Sequence, residues 1–182
     1  MNHPHPRHNA SKQKCVYNCL AITNLSAIIS NMKKGEDFTG VTIVYLCHDG
    51  KGNILLNKRS NQCRDEHGCF DPGGGGLEFG DTVVDTLKKE IWEEYCTEVL
   101  DYEFLGYRDV HREHNGKKTH WIALDFKVLV NRETVRNGEP HKFESVGWFK
   151  LDQLPTPLHS QFPLFLKLYE KRLGADHNIR TD

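Results

Sequence analysis

Three glutamates at i, i+3 and i+4 (Glu90, Glu93 and Glu94) follow a run of four glycines, Gly73, Gly74, Gly75 and Gly76. On a helix that spacing gathers the carboxylates on one side, where like charges repel by roughly 0.2–0.5 kcal/mol per exposed pair. A hard divalent cation offsets such repulsion, because it favours carboxylate and backbone carbonyl oxygens. An acidic strip facing solvent is the plainer reading of the glutamates alone. The glycines bear on that choice: without Cβ atoms, their carbonyls and amides can approach a ligand closely. A flexible loop is the plainer reading of the glycines alone.

The elements that must carry these residues follow from periodicity. Residues 41–47 (VTIVYLC) form a β-rich run closed by Asp49-Gly50 and Gly52-Asn53, and residues 54–58 (ILLNK) are expected to pair with it as a hairpin. Residues 60–76 read as a long polar, glycine-rich loop. A helix is predicted over residues 82–96, capped by Asp81 or Thr82. Asp85 completes a capping box, and Val84, Leu87, Ile91 and Tyr95 form an apolar stripe roughly opposite the glutamates. Residues 102–110, 120–130 and 146–149 supply further strands, and Phe162, Phe165, Leu166 and Tyr169 mark a last helix. This order predicts a layered α+β domain with a mixed sheet.

Composition narrows the class. The chain has 182 residues, 37% hydrophobic and 27% charged, with a net charge of -1. No field of one sign points to polymeric nucleic acid or a membrane surface, and no stretch approaches a membrane span. The polar interruptions of residues 19–29 make a poor secretory signal, so a cytoplasmic protein is expected. Residues 1–31 read as an appendage: a His-, Asn- and Lys-rich tail over 1–14, then Leu25, Ile28, Ile29 and Met32 at helical spacing. Residues 32–174 form the domain and 175–182 a tail. Six cysteines do not suggest a stapled scaffold; Cys47 and Cys96 sit where a free thiol packs, Cys15 and Cys19 form only a loose CxxxC, and Cys63, His67 and Cys69 lack the second pair of a structural zinc site.

Taken together, Gly75, Asp81 and the segment Lys89-Glu90-Ile91-Trp92-Glu93-Glu94 resemble the Nudix box, G-x5-E-x7-R-E-U-x-E-E-x-G-U, over residues 75–97. The LLNKR-like strand before it and Val146-Gly147-Trp148-Phe149 before Leu-Asp-Gln-Leu-Pro extend the resemblance over residues 38–169. Asp81 stands for Glu, Lys89 for Arg, Cys96 for Gly and Thr97 for the last aliphatic. Lys89 lacks the bidentate fork that would orient Glu90, and Cys96 occupies a position where a helix end favours glycine.

The resemblance implies a Nudix-like α/β/α sandwich and hydrolysis of a diphosphate linkage in a nucleoside diphosphate-X or nucleoside triphosphate substrate. Glu90, Glu93 and Glu94, with the carbonyl of Gly75, would hold Mg²⁺ or Mn²⁺. Glu90 is the first candidate for general base, with Glu139 or Glu144 as late-loop alternatives. Arg59 is expected to contact phosphate beside Gly74, Gly75 and Gly76. Phe70, His120, Trp121 and Phe126 offer candidate stacking surfaces, and His111, Arg112 and His114 a polar loop bordering the substrate. A small-molecule nucleotide is the expected partner, and a homodimer is left open. Two other readings share the fold: a nucleotide-binding protein with little turnover, and a prenyl diphosphate isomerase using Cys63 or Cys69.

Overall fold

The computed structural model describes residues 31–114 and 116–174. The tail and helix proposed for the N-terminal appendage, with Cys15 and Cys19, lie outside those residues, as does the C-terminal tail; Met32 is described and exposed. Seven strands form one mixed sheet: β1 (Gly40–His48), β2 (Asn53–Arg59), β3 (Phe70–Asp71), β4 (Gly73–Gly76), β5 (Val99–His114), β6 (Lys117–Val130) and β7 (Phe143–Lys150). Among the described residues two helices accompany them, α1 (Val83–Tyr95) and α2 (Phe162–Leu173). The strand order is β3-β2-β1-β6-β5, with β4 added to β1 and β7 to β2.

Side-chain alternation along β1 and β2 explains the layering. Ile43, Tyr45 and Cys47 of β1, with Leu55 of β2, pack against Leu87, Ile91 and Tyr95 of α1. Their neighbours Leu46, Ile54 and Leu56 point the other way, into a second cluster with Phe162, Phe165, Tyr169 and Leu173 of α2. Successive side chains of a strand face opposite sides, so strands apolar at both parities must be covered twice. The result is the helix–sheet–helix sandwich.

The hairpin expectation holds only at its base. β1 and β2 pair at His48 and Ile54 and then splay. β1 instead pairs in parallel with β6 from Gly40 to His48, and β2 pairs with β7 from Asn53 to Arg59. Splaying opens room for β4, whose glycines pair antiparallel with Thr42 to Tyr45. Residues 60–76 are therefore not one loop. Phe70–Asp71 and Gly73–Gly76 are short strands, held by main-chain bonds that need no side chain. β5 and β6 also run longer than predicted, pairing out to His114 and Lys117, because polar side chains on an exposed ladder do not interrupt it.

Helix α1 starts where the capping box predicts. Thr82 Oγ1 accepts from Asp85 N at 3.1 Å and donates to Asp85 Oδ2 at 2.6 Å. Val83, not Val84, joins the core below. The helix ends on Cys96 in the left-handed conformation (φ 53, ψ 32), with its N–H on Trp92 O at 2.9 Å. The chain thus adopts the glycine-type ending with a cysteine, whose Cβ penalty is about 1–2 kcal/mol. The segment between β6 and β7 closes this end: Arg136 N donates to Tyr95 O and Gly138 N to Glu94 O, each at 2.9 Å. Those bonds satisfy carbonyls that a helix terminus leaves open.

Candidate active site

α1 lies against β4, and the missing Cβ atoms set the distance. A Cβ on Gly75 would stand 1.9 Å from Glu90 Cδ, and one on Gly73 would stand 2.7 Å from Glu94 Oε2 and 2.0 Å from the Tyr45 ring. Only glycine lets these carboxylates reach the strand. The Gly75 carbonyl accepts from Thr42 Oγ1 at 2.9 Å.

The three glutamates do not form an outward strip. Glu94 is buried beside Tyr95, Glu90 is half-buried, and Glu93 faces solvent. The reason is helix geometry: residues four apart lie nearly over one another, whereas neighbours such as Glu93 and Glu94 diverge by about 100°. Packing the apolar stripe on the sheet therefore carries Glu94 inward.

Burial dominates the electrostatics here. Glu94 is pushed up to about 8 by desolvation, opposed by the hydrogen bond it accepts from Tyr45 Oη at 2.5 Å. Glu90 is raised by burial and then by Glu93. Glu139 adds to both effects and Lys142 opposes them, so these two residues sit within electrostatic reach of the carboxylates. They pair with each other at 2.7 Å. Glu144 pairs instead with Lys58 at 2.7 Å on β7 and does not contribute. Lys89 is exposed, and its charge is a minor influence on Glu90.

A cavity of about 300 Å³ opens beside the glycine strand, and Glu94 and Trp121 are among the residues lining it. Its opposite wall is an ion network. Arg59 reaches Asp65 Oδ1 at 3.1 Å and Asp71 Oδ2 at 3.3 Å, and Arg112 reaches Asp65 Oδ2 at 3.1 Å and also Glu66. Glu66 accepts from Ser160 N at 2.6 Å and Ser160 Oγ at 2.7 Å. Burial tends to raise Asp65, but Arg112, Arg64 and Arg59 more than reverse it, leaving the carboxyl below its ordinary value. Asp71 is pushed up to about 7 by burial. His159 is pushed down to about 4, again chiefly by burial. Arg59, expected to await a phosphate, is already held by two carboxylates.

Other sequence expectations divide. Arg112 lies on β5, not in a loop, and faces the cavity with Arg108 and Val110. His111 lies on the same strand at the opposite parity, its ring stacked on that of His120 at 4.2 Å. His120 also meets Asp109 Oδ1 at 3.0 Å and Thr39 Oγ1 at 3.2 Å. His114 is likewise in β5. Phe126 belongs to the core, and Phe70 packs edge-on against Phe149 at 5.6 Å; of the four stacking candidates, Trp121 is the one exposed to the cavity.

Among the described residues, the ligand atoms of Asp109, His111 and His120 lie within 4.8 Å of one another, and neither the three glutamates nor Cys63, His67 and Cys69 form such a group. Cys63 Sγ donates instead to Lys142 O at 3.1 Å. Cys69 is held above its ordinary value, first by burial and then by Glu66, so it lacks the thiolate character of a nucleophile. Cys96 is exposed and not packed.

Sequence reasoning missed Tyr45, the carboxylates of the arginine network and a buried pair, Arg108 and Asp125. Asp125 had a signal: it is a lone acid inside the apolar run ALDFKVLV. Buried charges require partners, and here Arg108 Nε and Nη2 donate to its two oxygens at 2.6 and 3.0 Å.

The NUDIX domain family matches residues 38–169, more than half of the chain, and the chain belongs to that family. It is similar to the MutT NUDIX hydrolase from Burkholderia pseudomallei, with 29% identity and a TM-score of 0.64 over 72% of this chain and 98% of that one. The fold is shared with the NUDIX domain of Shewanella oneidensis NrtR, complexed with ADP ribose. That pair shows 16% identity and a TM-score of 0.60, over 81% of this chain and 97% of the other. It is shared too with a bifunctional NMN adenylyltransferase/ADP ribose pyrophosphatase from Francisella tularensis, complexed with AMP and a manganese ion. There the identity is 12% and the TM-score 0.59, over 89% of this chain and 49% of that one. Among the described residues, no helix is long and apolar enough to cross a membrane.

Proposed function

We propose that this chain is a divalent-cation-dependent pyrophosphohydrolase that cleaves a diphosphate linkage in a nucleoside diphosphate-X or nucleoside triphosphate substrate. The observation that carries the reading is the close stacking of Glu90 and Glu94 on the glycines of β4, which with Glu94 line a cavity of about 300 Å³. Burial raises both carboxyls, so their charged forms are under tension that a cation would relieve. Their hard oxygen donors, and the carbonyl of Gly75, suit Mg²⁺ or Mn²⁺. Glu93, on the exposed side, would complete the set after a rotamer change.

A bound cation supplies charge to the phosphate oxygens and lowers the pKa of a water beside it. Glu90, Glu93 and Glu94 would hold that charge, with Glu94 lining the cavity. Glu90 also accepts the proton of the attacking water, because its raised pKa brings it nearer neutrality than an ordinary carboxylate. Glu139 is the alternative base, held by Lys142 within electrostatic reach of Glu90. Gly74 and Gly76 leave the strand edge open to phosphate oxygens. Arg59 and Arg112 give that wall positive charge balanced by Asp65, which suits a substrate already partly neutralised by metal.

A panel of nucleoside triphosphates and nucleoside diphosphate-linked sugars, assayed with Mg²⁺, Mn²⁺ and chelator, tests the proposal. Metal-dependent release of a nucleoside monophosphate is the expected result. Tight nucleotide binding without product in any metal would overturn it, in favour of a binding protein of the same fold.

A further inference from the structure

In the wall of the same cavity, one guanidinium is held in place with part of its hydrogen-bonding capacity unused. Arg108 is 7% exposed and lies on the cavity wall. Its Nε and Nη2 are fixed by Asp125, which also accepts from Tyr169 Oη at 2.9 Å. The guanidinium carbon sits 5.6 Å from the centre of the Phe165 ring. Nη1, by contrast, is buried and has no hydrogen-bond partner among the described residues. A buried donor left without a partner destabilises the free protein. A site that keeps such a group rigid and bare is set to receive an acceptor.

The surroundings say which kind. Asp125 already balances the charge of Arg108, so the free N–H acts as a neutral donor more than as an anion site. Val110, Ala123, Phe162 and Phe165 make the neighbouring wall apolar, and Trp121, seated on Gly35 and Gly40, borders the same space. An apolar slot bordered by Trp121, with one unpaired donor in its wall, fits a nucleobase that presents a hydrogen-bond acceptor on that side, and an exocyclic carbonyl oxygen is such an acceptor. A phosphate would sit poorly there: it would be desolvated against Phe162 and Phe165, with Asp125 close by.

Taking the cavity as a nucleotide site, on which this inference rests, we infer that Arg108 is a specificity-determining residue, selecting bases that present a carbonyl oxygen over adenine, which presents an amino group. Donor facing donor leaves both groups unpaired in the adenine complex, whereas hypoxanthine and guanine complete the pair. The inosine and adenosine pair probes this difference, because the two bases share their ring skeleton and differ only at the exocyclic position and in the proton carried by the adjacent N1.

The test compares inosine and adenosine triphosphates at equal Mg²⁺, in the wild type and in Arg108→Lys. Lysine keeps a positive charge for Asp125 but removes the second guanidinium nitrogen. The wild type should favour the inosine substrate in kcat/KM by roughly three- to tenfold, the range of an ordinary net hydrogen bond. Arg108→Lys should bring the ratio to within about twofold, through a larger loss on the inosine side than on the adenosine side. Equal use of the two substrates by the wild type, or a preference for adenosine, overturns the inference without any variant. So does an equal loss on both substrates in Arg108→Lys, which would mark Arg108 as purely structural. Calorimetric titration with inosine and adenosine monophosphates reads the same preference when no turnover occurs. A preference for the inosine ligand there would support the role of Arg108 while the hydrolase reading falls. No binding of either would overturn the role of Arg108 itself.

Discussion

The two ends of the α1–β4 cavity treat charge in opposite ways. At the α1 end, Glu90 and Glu94 are pressed against a glycine strand with their carboxyls raised, and the nearest cation, Lys142, is paired with Glu139. At the β2–β5 end, Arg59 and Arg112 share Asp65, and Glu66 is satisfied by Arg112 and Ser160. One end holds carboxyls whose charged forms burial disfavours; the other arrives balanced. Burying a charge without a partner is expensive, so the first end is where a ligand has most to offer. The balanced end is where rigidity comes from. Substitutions at the two ends should therefore fail differently, the first in chemistry and the second in stability.

The largest effect is expected from Glu94→Gln and Glu90→Gln. Each should lower kcat/KM with Mg²⁺ by about 100-fold or more, since both carboxylates serve the cation and Glu90 also serves the proton. Circular dichroism should be unchanged. Retention of wild-type turnover at limiting Mg²⁺ would remove the α1 end from the mechanism.

Asp65→Asn probes the other end. It leaves Arg59, Arg64 and Arg112 without their common carboxylate and should destabilise by about 3 kcal/mol, the scale for breaking a buried pair. Denaturant unfolding measures this, and residual activity per folded molecule should fall by less than about tenfold. A loss of activity as deep as that of Glu94→Gln, with stability intact, would erase the distinction between the two ends.

The pH dependence of stability gives a third contrast. Glu94 has a folded pKa of about 8, above that of an ordinary carboxyl, so its protonated form is favoured by folding. Its stabilising contribution is complete below about 4.3 and is lost as pH rises through about 8. His159, depressed to about 4, works in reverse: its contribution is present above about 6.5 and is lost as pH falls through about 4. In chelator, the thermal midpoint should fall by about 5 °C or more on raising pH from about 6 to about 9. Mg²⁺ or Glu94→Gln should flatten that slope. An unchanged slope in Glu94→Gln would assign it to another group, Asp71 first.

The smallest effect tests a departure from the family pattern that lies outside both ends. Cys96→Gly removes a Cβ from a left-handed helix ending and should stabilise by about 1 kcal/mol or less, because glycine also loosens the unfolded chain. Equilibrium unfolding checks the sign, and kcat should not move.

Much of the layout was determined by local pattern. The capping box placed the start of α1 at Thr82, the β-rich run VTIVYLC marked β1, and the spacing of Gly75, Glu90, Glu93 and Glu94 pointed to the family. Those features repeat over a few residues and report local geometry directly. What the tertiary structure decided is everything that depends on who lies opposite. The glycines read as a loop because glycine has poor strand propensity; pairing with Thr42 to Tyr45 made them a strand. Glu94 read as exposed because a helical projection has no neighbours; docking α1 on the sheet put it against Tyr45. Arg59 read as free for phosphate because Asp65 and Asp71 meet it only after the chain has folded back from β2. Arg108 and Asp125 lie on adjacent strands joined by the β5–β6 turn, and their pairing requires the register of that ladder together with α2 above it. Spacing along a chain determines which residues share a face; packing alone determines what that face meets.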